Sequence, residues 1–287
     1  MRNIIGNFAA FTIFRLAILL VLTASFASAA TWTTIDPPGS AGLTKVYGLN
    51  STGQLVGSFY DGHAIHGFLY DGGYSTIDVP AAVMTVCTGI NDSAQIAGYY
   101  WDSSFVSHGF FFDGSTFTTI DPPGSLLTVA GQINNSTKIV GYYIDSSGAH
   151  YHGFVWDNGA YTTIDDPGGT DTRAIGINSN GNISGVYSKQ DGVELGFARI
   201  NGSFRDVIYP GAAGTEVWGI NDNNQVVGAA FNNVNNSVGF ALVAGQYKPL
   251  KYPGSKNSAA YDANNLGNVV GYYENSFGQK LGFLRTR

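Results

Sequence analysis

The segment TVCTGINDSAQIAGYYWDSSFVSHGFFFDGSTFTTIDPPGS, residues 85–125, contains the pattern on which the fold prediction rests. Its runs of aromatic and β-branched residues predict four short strands, A to D: TVCTGIN (85–91), QIAGYY (95–100), HGFFF (108–112) and FTTID (117–121). A polar turn, a longer loop and an Asp-Gly turn separate them, and Asp-Gly supplies the positive φ angles that a tight hairpin needs. The Pro-Pro-Gly-Ser that follows leads the chain into another unit.

The same unit occurs six times, as three independent markers show. The asparagine that ends strand A recurs at intervals of 41, 43, 44, 43 and 43 residues, as Asn50, Asn91, Asn134, Asn178, Asn221 and Asn264. A glycine in strand B recurs as Gly57, Gly98, Gly141, Gly185, Gly228 and Gly271. The third marker, a Gly-Phe pair in strand C, ends in Phe68, Phe110, Phe154, Phe197, Phe240 and Phe283.

Six four-stranded units of this length predict an all-β fold, a six-bladed β-propeller. One small sheet cannot bury both of its faces, whereas a ring of sheets buries each face against a neighbour. The first unit is preceded by a lone strand D, TWTTID (31–36), and the sixth ends after its strand C, KLGFLRTR (280–287). We therefore expect the N-terminal strand to complete the last blade and remove an open edge. A solenoid or a sandwich has no use for this complementarity.

The first 29 residues predict a signal peptide. Residues 8–26 are mostly apolar, Arg2 precedes them and Arg15 interrupts them, and the run after Arg15 is shorter than the about 20 residues that span a bilayer. Ala27-Ser28-Ala29 supplies the small-x-small cleavage pattern, although an uncleaved anchor is the alternative. We expect a single propeller domain over residues 30–287, secreted or periplasmic, with no membrane insertion after cleavage.

The charge and cysteine content exclude some partners and bonds. Loss of Arg2 and Arg15 with the leader takes the formal net charge from −6 to −8, so the surface offers no basic footprint for nucleic acid. Cys87 is the only cysteine, so the chain has no internal disulfide even if it is exported. We expect a monomer held together by its core.

The units resemble the HAF family of extracellular repeats, named for a His-Ala-Phe-like triplet. The first three units have this triplet as His66-Gly67-Phe68, His108-Gly109-Phe110 and His152-Gly153-Phe154. The other half of the motif resembles Gly89-Ile90-Asn91-Asp92-Ser93 and Gly219-Ile220-Asn221-Asp222, and the resemblance covers residues 31–287. The last three units depart from it, with Leu195, Val238 and Leu281 in place of histidine. The resemblance implies a propeller-like fold and bacterial export, and it implies no substrate.

The repeated histidines pair with repeated aspartates across the hairpin of strands C and D. The predicted pairs are His66 with Asp78, His108 with Asp121, and His152 with Asp165. Three such pairs on separate blades do not converge on one reaction centre, and no nucleophile accompanies them. We interpret them as cross-strand structural contacts.

The other repeated polar residues also predict scaffold roles. An asparagine that enters a turn can bond its own backbone two residues on, so the six marker asparagines are interpreted as turn holders. The same interpretation covers a ring of hydroxyl residues at the start of strand A: Thr44, Thr85, Thr128, Thr172, Thr215 and Ser258.

Functional residues are expected where the six copies differ. If strand A is innermost, the positions five and three residues before each marker asparagine face the central channel and its mouth. They include three charged residues and three aromatic ones: Lys45, Arg173, Glu216, Tyr47, Trp218 and Tyr261. Aromatic faces beside charges suit a carbohydrate or another small polar ligand. The alternative is that these residues only fill and solvate the ring.

Three functions remain open on this basis. The leading hypothesis is a non-enzymatic, exported propeller that binds an extracellular ligand such as a glycan or an envelope component. The second is a hydrolase or lyase at the channel mouth, with Arg173 and Lys45 stabilising charge and Glu216 as acid or base. The third is a purely structural module. No phosphate loop, nucleophile elbow, dinucleotide fingerprint or metal-ligand pattern occurs, so we expect no cofactor and no metal.

Overall fold

The structure, a computed structural model, describes residues 30–234 and 236–287 and confirms the predicted six-bladed β-propeller. The predicted signal peptide lies outside the described residues. The 24 strands form six antiparallel sheets of four. In the described part of the chain, no helix is long and apolar enough to cross a membrane.

The strands are numbered β1 to β24 in chain order. The six A strands contact each other around the centre: β2 (Thr44–Leu49), β6 (Met84–Ile90), β10 (Leu127–Ile133), β14 (Asp171–Ile177), β18 (Gly214–Ile220) and β22 (Asn257–Ala263). The B strands follow outward: β3 (Leu55–Tyr60), β7 (Ile96–Trp101), β11 (Ile139–Ile144), β15 (Ile183–Ser188), β19 (Val226–Phe231) and β23 (Val269–Glu274). The C strands come next: β4 (Ile65–Tyr70), β8 (Ser107–Phe112), β12 (Tyr151–Asp157), β16 (Glu194–Ile200), β20 (Ser237–Val243) and β24 (Lys280–Thr286). The D strands are outermost: β5 (Tyr74–Ile77), β9 (Phe117–Ile120), β13 (Ala160–Ile164), β17 (Ser203–Val207), β21 (Gln246–Leu250) and β1 (Thr31–Ile35).

The N-terminal strand closes the ring, as the sequence predicts. β1 pairs antiparallel with β24, from Thr31 opposite Thr286 to Ile35 opposite Gly282, and so becomes strand D of the sixth blade. Ile35 is buried in a cluster with Val46 and Phe68 of the first blade. One strand therefore joins the two ends of the chain and contributes to the core between the last blade and the first.

The Gly-Phe and lone-glycine markers build the core of each blade. The six strand C phenylalanines are at most 1% exposed, and burial of each contributes about 1.5–3 kcal/mol. A Cβ atom at Gly98 would lie 2.6 Å from the Phe110 ring and even closer to the Val86 carbonyl oxygen, so a larger residue does not fit there. Val56 of the first blade packs with Cys87 and Phe110 of the second, which shows how neighbouring sheets bury each other's faces.

The six marker asparagines form a closed ring of hydrogen bonds. The Nδ2 atom of each donates to the backbone carbonyl of the next marker asparagine at 2.9 to 3.2 Å, and Asn264 closes the circle by donating to Asn50. The Oδ1 atom of Asn91 also accepts the backbone N–H groups of Ser93 and Gln95, both at 3.0 Å. The predicted turn bond is thus confirmed, and each asparagine in addition links its blade to the next.

The hydroxyl ring also has the predicted scaffold role. The Oγ1 atoms of Thr85, Thr172 and Thr215 accept backbone N–H groups of the preceding D-to-A connection at 2.9 to 3.1 Å. These threonines are at most 2% exposed. They fix the segment by which the chain passes from one blade to the next.

Candidate functional site

A β-bulge in every inner strand aims one residue into the central channel. In β2, Val46 pairs with Gly57 and Gly48 pairs with Val56, so that Tyr47 between them has no partner on β3. The other five inner strands shift register at the same place. A bulge leaves one residue outside the ladder and turns its side chain away from the sheet. The bulged residues include Trp218 and Tyr261, both predicted site residues.

The predicted charged residues lie one layer beyond the bulged residues, toward the channel mouth that is opposite the asparagine ring. Lys45, Arg173 and Glu216 occupy equivalent positions in blades 1, 4 and 5, and each is half-buried. Their partners on strand B are the short residues Ser58, Val186 and Ala229. The other three blades reverse this arrangement, because small strand A residues there pair with tyrosines on strand B: Tyr99, Tyr142 and Tyr272. These tyrosines were missed in the sequence, since only the strand register reveals them.

The Lys45 ammonium group lies among aromatic rings. Its Nζ atom is 5.4 Å from the centroid of the Tyr272 ring and 6.0 Å from that of Tyr47. Burial lowers the pKa of Lys45, and the nearby Tyr272 hydroxyl opposes that shift. In the described residues, Lys45 forms no ion pair within 4.0 Å, so its charge is available at the mouth.

Arg173 and Glu216 form the opposite, charged side of the mouth. Arg173 Nη2 donates to Glu194 Oε1 at 2.5 Å, and the guanidinium group lies 5.9 Å from the centroid of the Tyr151 ring. Burial raises the pKa of Glu216, while the positive charge of Arg173 opposes this shift and the negative charge of Glu194 adds to it. Glu194 and Glu216 line a common cleft of about 350 Å³ at the rim.

Below this layer lies a cavity of about 220 Å³ with aromatic walls. The Tyr261 ring lies 4.7 Å from both Tyr47 and Trp218, centroid to centroid, and forms a continuous aromatic surface with them. Tyr99 and Tyr142 line the cavity as well. Burial raises the pKa of Tyr47 and of Tyr261, so their hydroxyl groups remain neutral hydrogen-bonding groups.

Gln132 lines the cavity at its inner end, and Asp262 lies in the same residue layer on the opposite blade. The layer beneath the bulge is glycine in four blades, and a Cβ atom at Gly89 would lie 2.7 Å from Gln132 Cα of the next blade. The other two blades, which are opposite each other, carry Gln132 and Asp262 here, so that polar side chains replace glycine on both sides of the channel. Asp262 Oδ2 also accepts the backbone N–H of Leu49 at 3.2 Å.

Asp262 is half-buried and borders a funnel on the side of the asparagine ring. Burial raises the pKa of Asp262 to about 6, against the hydrogen bonds from Leu49, Ala263 and Gln132, which lower it. The channel is thus closed near the asparagine ring and lined by aromatic rings toward the opposite mouth. Sequence comparison of the units missed these two polar residues, because Asp262 and Gln132 replace glycine at one position that the marker count did not single out.

The structure therefore brings the six predicted site residues onto one channel, in two layers. Tyr47, Trp218 and Tyr261 are in direct contact, whereas Lys45 is on the opposite side of the mouth from the Arg173–Glu194 pair. Within the residues that the structure describes, no group of three or more His, Cys, Asp or Glu side chains is arranged to hold a metal ion.

The three predicted His–Asp contacts are present, and they lie on the outer hairpins. The Nδ1 atoms of His66, His108 and His152 are 2.7, 2.6 and 2.9 Å from the predicted aspartates. A second aspartate, from the loop between strands B and C, lies 3.3 to 3.6 Å from Nε2 of each histidine: Asp61, Asp102 or Asp145. Each histidine thus joins a loop to strand D, and this second contact was not predicted, because the loop varies in length.

No protein-family model and no curated protein sequence matches the chain. Solved structures match its fold. A fungal lectin from Aleuria aurantia, a six-bladed β-propeller with a fucose recognition mode of its own, is 16% identical over 86% of this chain and 93% of the lectin, with a TM-score of 0.52. AofleA from Arthrobotrys oligospora is 12% identical over 89% of this chain and 86% of its own, with a TM-score of 0.57. TolB from Acinetobacter baumannii is 11% identical over 82% of this chain and 64% of TolB, also with a TM-score of 0.57. At these identities the likeness is one of fold.

Proposed function

We propose that this protein is exported and binds a monosaccharide, or a small polar ligand of similar size, in the central channel without converting it. The observation that carries the proposal is the cavity of about 220 Å³, with its aromatic wall of Tyr47, Trp218 and Tyr261. The resemblance to HAF repeats and the predicted signal peptide support a location outside the cytoplasm.

The size and lining of the cavity favour a single ring. Its volume equals that of about seven liquid waters, and is below the about 300–1,000 Å³ of pockets for drug-sized ligands. The C–H face of a sugar ring is apolar and packs on an aromatic face. The hydroxyl groups of a sugar need polar partners, which Gln132 and the phenol groups of Tyr47 and Tyr261 supply.

The mouth adds polar groups at the rim. Lys45 on one side and the Arg173–Glu194 pair on the other can hydrogen-bond the parts of a ligand that extend beyond the cavity. The same fold holds a sugar in another protein, because the Aleuria aurantia lectin recognises fucose. L-fucose is therefore the first sugar to test, beside D-glucose, D-galactose and N-acetylglucosamine.

Tryptophan fluorescence tests this proposal, because Trp218 is one of only four tryptophans and lines the cavity. Residues 30–287 are titrated with each sugar, and binding is followed by emission and by calorimetry. We expect at least one sugar to bind and to change the emission. Trp218→Phe should abolish most of the emission change and weaken binding about three- to tenfold, since a smaller ring stacks less well.

The matched control is Trp101→Phe, because Trp101 is the last residue of β7, does not line the cavity and is 38% exposed. This variant should bind and respond like the parent chain. The proposal is wrong if no sugar produces heat or an emission change, or if Trp218→Phe titrates like the parent. Complete absence of ligand binding would favour the purely structural module.

A hydrolase or lyase remains the second candidate, and the pair of carboxylates at the rim favours it. Glu216, whose pKa burial raises, shares a cleft with Glu194, and a carboxyl group with a raised pKa is suited to act as a general acid. Aryl glycosides are the substrates to screen. Glu216→Gln should then reduce the rate at least about 100-fold, and an activity that survives this change intact eliminates Glu216 as the acid.

A further inference from the structure

The fifth blade lacks a contact that the other five blades share. At the start of each C strand, one residue pairs with a residue at the end of strand B. In five blades an aromatic ring pairs with histidine or leucine there: Phe59 with His66, Tyr100 with His108, Tyr143 with His152, Tyr187 with Leu195, and Tyr273 with Leu281. In the fifth blade Ala230 pairs with Val238. A large ring and a second bulky side chain are thus replaced by two small ones.

A pocket of about 380 Å³ occupies the space that these side chains leave. Ala230 and Val238 form its base, and Tyr209 and Lys251 are among the residues that form its walls. This volume lies within the range of about 300–1,000 Å³ that is typical of pockets for small ligands. Ala230 and Val238 pack against the core cluster that contains Phe240, so the base of the pocket is fixed.

One wall of this pocket is an aromatic face without the partner that its counterpart has. Tyr252, the equivalent residue one blade later, stacks on Tyr273 at 3.7 Å with an interplanar angle of 2°. Ala230 stands where Tyr273 would be, so Tyr209 lacks that stacked ring. In the described residues, Tyr209 contacts the rings of Phe240 and Tyr247 alone, at 5.5 and 5.3 Å.

The charge at one position of the pocket is also reversed relative to the first three blades. Lys251 follows strand D at the position where the first three blades have the aspartate of the His–Asp pair. In the described part of the chain it forms no ion pair within 4.0 Å. Lys256 also lines the pocket, and its Nζ atom is 3.7 Å from Glu274 Oε1, so this second lysine is partly neutralised. The net character of the pocket is cationic, on a chain whose net charge is −6.

We propose that this blade 5 pocket (Tyr209, Ala230, Val238, Lys251 and Lys256) is a second binding site, for a monosaccharide that carries a carboxylate. The apolar face of the sugar ring stacks on the open face of Tyr209, in the place that Tyr273 takes on Tyr252. The carboxylate accepts a charge-assisted hydrogen bond from Lys251, with Lys256 on the same wall. This site is separate from the channel and does not depend on the function proposed for it.

Substitutions that give blade 5 the side chains found at the same positions of other blades test the site. The probe is D-glucuronate, with D-galacturonate as a second acid and D-glucose as the matched neutral sugar, titrated by calorimetry into residues 30–287. We expect glucuronate or galacturonate to bind and glucose to bind at least about tenfold more weakly, because it lacks the charged acceptor. Ala230→Tyr should abolish binding of the acid by filling the pocket, and it should keep or raise the melting temperature.

Lys251→Asp should weaken binding of the acid at least about tenfold. The matched control is Lys248→Asp, the same charge change at an exposed residue of the strand that precedes Lys251, which does not line this pocket. This control should bind like the parent. Trp218→Phe should also leave binding of the acid unchanged, which separates this site from the channel.

The proposal is overturned if neither acid binds to the parent chain. It is also overturned if Ala230→Tyr, with its melting temperature intact, still binds glucuronate with the parent affinity, or if Lys248→Asp weakens binding as much as Lys251→Asp does. Loss of binding in Trp218→Phe would assign the acid to the channel and would equally contradict a site in blade 5.

Discussion

Each marker asparagine performs two tasks with one small side chain. Its Oδ1 atom holds the turn after strand A, and its Nδ2 atom donates to the neighbouring blade. All six asparagines are at most 8% exposed, and a buried polar group without its partner costs about 1–3 kcal/mol. The donor half of this arrangement explains why aspartate, which is a good turn residue, does not replace asparagine in any of the six copies.

Asn91→Asp tests this account, because it keeps the turn acceptor and removes the interblade donor. We expect the variant to lose about 2–4 kcal/mol of unfolding free energy at pH 7, since a carboxylate then faces the carbonyl oxygen of Asn134. Protonation of the new carboxyl group restores a donor, so the loss should be smaller near pH 4. Urea unfolding at both pH values measures it.

The control is Asn275→Asp. Asn275 accepts the equivalent pair of backbone N–H groups, from Phe277 and Gln279, but it is half-buried, and within the described residues its side chain bonds only to its own loop. This variant should change the unfolding free energy by less than about 0.5 kcal/mol. Equal losses in the two variants would mean that the turn alone matters.

Asp262 lies in the residue layer beneath the bulge, and its environment predicts a dependence of stability on pH. Burial raises its pKa to about 6, whereas an unfolded aspartate has a pKa of about 3.9. The unfolded chain therefore loses this proton first, and the contribution of Asp262 to stability falls as the pH rises from about 4 to about 6.

Asp262→Asn should remove this fall, because an amide keeps the acceptor for Leu49 and does not ionise. We expect the variant to be more stable than the parent at pH 7.5 by about 1–3 kcal/mol, and equally stable near pH 4. Asp191→Asn, which removes a charge from an exposed loop, should show no such difference. A variant that is less stable than the parent at pH 7.5 would contradict the assignment.

Among the elements, the hairpin of strands C and D is the one whose interpretation depends on counting the repeats. A histidine and an aspartate at its ends resemble part of a catalytic triad in a single copy. In the structure each histidine lies between two aspartates. It also packs on an aromatic ring of strand B: the ring of His108 stacks on that of Tyr100, with 5.2 Å between the ring centroids. The contact ties the loop between strands B and C to strand D.

His66→Leu tests this contact, and leucine is what blades 4 and 6 have at this position. The hydrogen bond that His66 donates to Asp78 raises the pKa of His66, so the contribution of His66 is full below about pH 6.5 and is lost as the pH rises through the raised pKa. We expect the variant to be less stable than the parent by up to about 1 kcal/mol at pH 5, and the difference to shrink by pH 9.

The loop aspartate Asp61, the second partner of His66, sets the lower limit of the pH range in which this contact is charged. Backbone N–H groups of Ala64 and His63, with a smaller contribution from His66, lower the pKa of Asp61 to about 2. The aspartate is therefore charged throughout the range of the test. His63→Leu is the control, since His63 lies in the same loop with a side chain that is 92% exposed. If His66→Leu and His63→Leu show the same dependence of unfolding free energy on pH, the His66–Asp78 contact does not contribute to stability.

The strands also show which residues of the candidate site could not be predicted from the sequence. Tyr47, Trp218 and Tyr261 were found because they vary at one position of an otherwise constant repeat. Tyr99, Tyr142 and Tyr272 were missed because they are on strand B and reach the channel only past small residues on strand A. That pairing depends on the bulge in strand A, and a bulge shifts the register without leaving a composition signal of its own.

For the whole molecule, the sequence was sufficient to predict the closed ring. The first strand of the described residues is a strand D and the last is a strand C, and the structure joins them as β1 and β24. The interblade bonds of the asparagines were not predictable in the same way, because neighbouring marker residues are 41 to 44 positions apart in the chain. Only the curvature of the ring brings them within hydrogen-bond distance.

Deletion of residues 30–38 tests closure of the ring. We expect the melting temperature of the truncated chain to fall by about 5 °C or more, because burial of Ile35 and the pairing with β24 are lost. A synthetic peptide of residues 30–38 added in excess should restore much of the loss. If the truncated chain melts like the parent, the strand is not needed for closure.

The central claim is that the channel of this propeller is a binding site for a single sugar ring. Crystals of residues 30–287 soaked in L-fucose, D-glucose, D-galactose and N-acetylglucosamine, each in turn, test it most directly. The account predicts electron density for one sugar ring in the channel, with its C–H face against Trp218 and Tyr261 and a hydroxyl group within 3.2 Å of Gln132. Water alone in the channel after all four soaks, or a sugar bound only elsewhere on the molecule, would contradict it.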